Sequence, residues 1–295
     1  MKNAQTSHRE IVGLANRYKL LLRLSPNPKL ELLRIKLKTK PADLSRLAPK
    51  IFENRAILDL LYGPAFPSVA TEIWSKPPVL HPTKNFLNET IWAISRCLSY
   101  GSELRRFTEL RAQYELSFLQ DDWKACAAAI RVTEEELGCS LWLLQSKLVA
   151  GRHWAQNSEL SREADEAQKS FDFHHPVRTL LWFSKRRIEA TTGTAFLKEE
   201  LAKALSGIDD ESVRAYFHAK LFDLTDVPAN AIAATVAIEG HSSLIDLYET
   251  LVLVLQSIAS SEPMPVSLAV ELHAPINRLL NATGDARLPA ILRAL

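Results

Sequence analysis

Apolar side chains in this chain return every three or four residues and almost never every second residue. Ile11, Leu14, Tyr18 and Leu21 keep that spacing, as do Phe107, Leu110, Tyr114 and Phe118, so each set lines one face of an α-helix. Glycine usage points the same way. The chain has 9 glycines, where average usage of ~7% would give roughly 20, which leaves few positions for the positive-φ turns that hairpins need. The expected fold class is all-α. The gaps between periodic segments fit neighbouring antiparallel helices joined by about two to eight residues. Stacking in pairs, as in an α-solenoid or superhelix, lets many short helices bury their stripes without closing on one core.

Local signals set the helix limits. Ser7 and Glu10 have the spacing of a capping box that opens the first helix. Pro26 and Pro28 interrupt it, and Pro41 and Pro49 are expected in the first turns of following helices, where a missing N–H costs nothing. The helix beginning at Pro49 carries Ile51, Ala56, Leu58 and Leu61 and stops at Gly63-Pro64. Residues 75–84 contain 3 prolines, which excludes regular helix and makes this the expected linker between residues 1–80 and a helical repeat domain at 81–295. Further helices are expected over 85–100, 102–118, 176–190, 194–205, 211–221, 230–238 and 242–259, with a final set after Pro263-Met264-Pro265. The last of these ends in an apolar stripe, Leu288 to Leu295, that needs a surface to cover it.

Between Tyr114 and Gly151 lies the densest helix pair. Trp123, Cys126, Ala127, Ile130 and Leu137 share one helical face; Leu141, Leu144, Leu148 and Val149 share the next. Asp121-Asp122 falls at the start of the first helix, where carboxylates accept free amides. The Asp122-Trp123 step followed by Cys126, Ile130 and Leu137 resembles the second helix of a tetratricopeptide-type repeat, a unit of about 34 residues. Tyr114 and Gly138 stand where that repeat usually has a small residue and a proline. The resemblance covers about 40 residues around 110–151 and implies a right-handed superhelix whose concave face commonly binds peptides or proteins; no functional residue is carried over.

Charge is distributed unevenly. Residues 1–50 hold 12 Lys/Arg and 3 Asp/Glu, a net +9, and the remaining residues are −7. Such a segment could be a solvated face, an intramolecular partner for the acidic remainder, or a surface for a polyanion. Cys97, Cys126 and Cys139 each sit in an apolar helical setting without a Cys-x-x-Cys pair, as buried thiols of a reducing compartment do. No uncharged apolar run reaches the ~18 residues that crossing a bilayer needs, and the expected location is cytoplasmic.

Few side chains invite chemistry. Asp172, His174 and His175 could serve a metal or a hydrolytic step, but adjacent imidazoles diverge and Pro176 makes His175 a helix-start residue. Asp209-Asp210-Glu211 is expected to cap a helix, and Glu134-Glu135-Glu136 to form a solvated turn or an acidic contact surface. Arg105-Arg106 and the Trp182-Phe183-Ser184-Lys185-Arg186-Arg187 run could recognise a phosphate, a carboxylate or a stacked base, or form packed core with a solvated rim. No phosphate-binding loop, nucleophile elbow, zinc-helix motif or dinucleotide turn is present in the sequence. These features predict a non-enzymatic adaptor or regulatory subunit, without cofactor or metal, that meets another protein through Trp154, Trp182, Arg186 and Arg187. The alternative is a nucleic-acid-binding module using the basic first 50 residues.

Overall fold

The computed structural model describes residues 8–75, 85–153, 158–172, 175–189, 191–222, 229–260 and 266–295. Among the described residues there are α-helices, one short 3-10 turn at Ala70–Glu72 and no strand, so the fold is all-α. In chain order the helices are α1 (His8–Leu24), α2 (Pro28–Lys38), α3 (Pro41–Phe52), α4 (Arg55–Tyr62), α5 (Phe86–Leu98), α6 (Gly101–Leu119), α7 (Trp123–Leu137) and α8 (Leu141–His153). They continue as α9 (Ser158–Ser170), α10 (Pro176–Ile188), α11 (Thr194–Ala204), α12 (Glu211–Leu221), α13 (Ala229–Glu239), α14 (Leu244–Ala259), α15 (Val266–Thr283) and α16 (Leu288–Ala294). Ser7 of the expected capping box and the proline-rich residues 76–84 lie outside the described residues.

Side chains near each helix start explain several boundaries. Asn85 accepts from the Asn88 amide at 3.2 Å, Asp122 from Ala125 at 3.0 Å and Asp210 from Ser212 at 2.8 Å. Each satisfies a donor that the first turn leaves free. Asp121 adopts a positive φ of 56° in the link from α6 to α7, a conformation that Asp tolerates better than most residues.

Two boundaries differ from the sequence expectation. Pro49 does not open a helix; it lies inside α3. Its missing N–H frees the Ser45 carbonyl, and Arg278 of α15 donates to that oxygen at 3.2 Å, which removes part of the cost of an interior proline. The helix expected from Pro49 to Leu61 is broken at Asn54, whose extended backbone ends α3 and starts α4.

The helix α5 occupies the centre. Every residue from Asn88 to Cys97 is buried, as expected of a helix covered on all sides, and its neighbours are α3, α13, α14 and α15. One core joins Leu22, Leu44 and Phe52 to Trp92, Tyr248 and Ile276, so residues on both sides of position 80 share it. The apolar end of the chain is covered too: Leu288 and Ile291 of α16 are buried in this core, against α14 and α15. From α6 to α10, by contrast, packing follows chain order, α6 on α7, α7 on α8, α8 on α9 and α10.

The two regions are tied by polar contacts. Asp246 of α14 is 2% exposed and accepts from the Leu141 and Trp142 amides at the start of α8, both at 2.9 Å. Ser242 and Ser243 donate to the same carboxylate. The loop after α4 adds two carbonyls: Ala65 accepts from Leu244 at 2.7 Å and Pro67 from Cys139 at 2.6 Å. Gly138 makes the second approach possible, because at its φ of +69° a Cβ would lie 2.3 Å from the Pro67 oxygen.

Ion pairs knit the stacked helices. Arg106 is bidentate to Glu136 at 2.6 and 2.8 Å, and the buried Lys147 contacts Glu134 at 2.6 Å and Glu163 at 2.8 Å. The acidic run is therefore neither a free turn nor an open acidic surface: two of its three carboxylates face cations from neighbouring helices. Arg105 caps the end of α15 by donating to the Asn281 and Ala282 carbonyls.

Candidate functional site

On α10 the sequence divides by helical phase. Val177, Leu180, Leu181 and Phe183 are buried in a second core shared with α8, α11 and α12. Trp182 is half-buried, edge-on to Phe183 with ring centroids 4.8 Å apart. The Arg186 guanidinium lies 5.3 Å from the Trp182 ring, within cation–π range, and also reaches Glu189 at 2.9 Å. That hydrogen bond holds the Glu189 carboxyl below its ordinary value. Arg187 is exposed and pairs with no carboxylate among the described residues; partial burial lowers its guanidinium from the ordinary value. Lys185 is occupied by Asp165 at 2.9 Å.

Trp182 lies at the middle of α10, one turn before Arg186 and Arg187 in its last turn. Trp154, the fourth expected anchor, lies outside the described residues. A half-buried tryptophan stacked by one exposed guanidinium, with a second exposed arginine in the same helical turn, is an arrangement that interfaces favour.

The groups suspected of chemistry have structural employment. His175 caps α10, its Nδ1 accepting from the Val177 amide at 3.3 Å, and burial lowers its imidazole from the ordinary value although Asp172 opposes this. Asp172 contributes its backbone oxygen to a turn with the His175 amide, and His174 lies outside the described residues. All three cysteines are buried free thiols. Burial pushes Cys97 and Cys139 up to about 12 and raises Cys126, the wrong direction for a nucleophile. Among the described residues no group of three His, Cys, Asp or Glu side chains could hold a metal, and no helix is long and apolar enough to cross a membrane.

A different cluster lies beneath α2, and the sequence reading missed it. Arg96 of α5 is 2% exposed. Its Nη1 donates to the Gly240 carbonyl, and its guanidinium stands 4.7 Å from the Tyr62 ring. Among the described residues its Nε and Nη2 have no acceptor. The His241 ring is 5.3 Å from Tyr62, and its Nδ1 likewise has no partner among the described residues. Lys36 meets Glu89 at 2.6 Å.

All five side chains line one cavity, with α2 forming a wall and Leu32, Leu61, Trp92 and Leu247 supplying apolar surface. The space open to water centres is about 40 Å³, room for roughly three waters at ~10–15 Å³ each. Burial lowers the Arg96 guanidinium; burial, with Lys29, Lys36 and Arg96 nearby, lowers His241 to about 2, so its imidazole is neutral. The available signal was a lone charge in an uncharged run, Thr90 to Cys97. Periodicity could not reveal that this helix is covered all round.

No protein-family model, curated protein or solved structure matches the chain.

Proposed function

We propose that the chain is a non-enzymatic interaction protein, an adaptor or regulatory subunit on a helical scaffold, that engages another protein through the end of α10. The observation that carries this reading is the stacking of the exposed Arg186 on the half-buried Trp182, with exposed Arg187, which pairs with no carboxylate among the described residues, in the same turn of α10. Support also comes from the acids and imidazoles most suited to chemistry, since Asp122, Asp210, Asp246 and His175 are all bound to helix-start amides. Three-to-four-residue stripes packed in chain order from α6 to α10 fit a scaffold built to present such a surface.

The test is cross-linked capture followed by mass spectrometry, comparing the native chain with Arg186→Ala/Arg187→Ala. Loss of one specific partner with unchanged helicity is expected; equal capture by both proteins would reject the surface.

The basic hairpin favours a second reading. Arg17, Arg23, Arg34 and Lys38 are exposed on α1 and α2, as phosphate contacts require. Exposed Leu20, Leu24 and Leu37 interleave with them, which suits an apolar partner surface better than a nucleic acid. A gel-shift titration at two ionic strengths separates the cases, because phosphate neutralisation gives a steep salt dependence; absence of a shift at low salt ends the nucleic-acid reading.

A further inference from the structure

We propose that the cavity between α2 and α5 is a binding site for a small organic carboxylate, held by the open edge of Arg96. A guanidinium buried this deeply is costly unless an anion or several acceptors compensate it, yet Arg96 has one carbonyl and one ring face. Its two unsatisfied donors, Nε and Nη2, belong to the same edge of the planar fork. That edge presents two parallel N–H groups to the two oxygens of a carboxylate.

The remaining lining selects the class. Lys29, Lys36 and Arg96 outweigh Glu89 by two positive charges, with His241 neutral, so the cavity favours an anion. Glu89 is itself a lining residue, 3% exposed, and repels a dianion more than a monoanion. Leu32, Leu61, Trp92 and Leu247 offer contact to a short hydrocarbon chain. A neutral His241 can carry its proton on Nδ1 and donate to the same carboxylate. The room available, roughly three waters, suits a group the size of acetate rather than a nucleotide.

Access runs beside α2. The open nitrogens of Arg96 are screened from bulk water, and the covering wall consists of Lys29, Leu32, Leu33 and Lys36, all from α2. The Lys36–Glu89 pair ties α2 to α5 at this wall.

The experiment titrates acetate, butyrate and inorganic phosphate into the full chain at constant ionic strength, with chloride as reference. Binding is read from the melting temperature and from the side-chain Nε–H resonances of arginine. Saturable stabilisation by butyrate or acetate, with one buried arginine resonance moving, is expected. Arg96→Lys, which keeps the charge but loses the fork, should weaken binding by about tenfold or more. Absence of a saturable effect beyond chloride in the native chain would overturn the proposal without recourse to any variant. Response to phosphate alone, or undiminished carboxylate affinity in folded Arg96→Lys, would overturn it as well. Neither result bears on the α10 surface, whose test reads partner capture.

Discussion

Replacing Asp246 by Ala should loosen α8 from the centre of the protein, and the structure sets the size of the effect. The carboxylate is buried and holds the amides of Leu141 and Trp142, and Ser243 retains its own bond to the Asp246 amide when the carboxylate is gone. Two buried amides lose their acceptor, at about 1–3 kcal/mol each. The loss is offset by no longer burying a carboxyl, which burial and Glu239 already push above its ordinary value. A net destabilisation of about 3 kcal/mol is expected, because orphaned donors in a dry site recover little. With an m-value of about 3 kcal/mol/M, the urea midpoint should fall by about 1 M at unchanged slope. Asp246→Asn keeps one acceptor oxygen and should lose about half as much. A loss below about 1 kcal/mol for the Ala variant, or an Asn variant as weak as Ala, would refute the argument that this carboxylate fastens α8.

Gly138→Ala should cost about 3 kcal/mol, combining a strained positive φ with overlap against a backbone oxygen. Gly207, which has open space around it, is the control, and Gly207→Ala should leave the melting temperature nearly unchanged. Acid should destabilise the fold through His241, which is neutral when folded while its unfolded counterpart takes up a proton below about pH 6.5. Its folded value is depressed, so the contribution is fully present above that pH and declines by about 1.4 kcal/mol per unit as pH falls towards the folded value. His241→Gln should flatten the stability profile between pH 6.5 and 5, with no flattening counting against the assignment. The three cysteines should resist a thiol reagent in the native state and react together on denaturation; rapid labelling of the folded chain would contradict their burial and raised values. Arg186→Ala and Arg187→Ala should change stability by less than about 0.5 kcal/mol, leaving partner capture as their readout.

Much of the fold was legible because helix starts are local events. Asp122, Asp210 and Asn85 cap amides two or three residues away, and the apolar period needs one or two turns to declare itself. The α10 residues were likewise legible as an inner stripe with an outer rim, since phase alone separates Leu180 and Phe183 from Arg186. By itself, then, the sequence determined the all-α class, most helix limits and which faces turn inward. Tertiary structure decided what distant groups do. Arg106 finds Glu136 across 30 positions and Arg105 finds Ala282 across 177, separations at which no local pattern specifies a partner. The same holds for Pro49, tolerated because Arg278 reaches the freed carbonyl. It holds above all for Arg96, which reads as one polar residue on a helix until α3, α13, α14 and α15 close around it. Helical period is a property of neighbours in the chain, whereas burial of a charge depends on which remote surfaces arrive, and only the packed molecule contains that information.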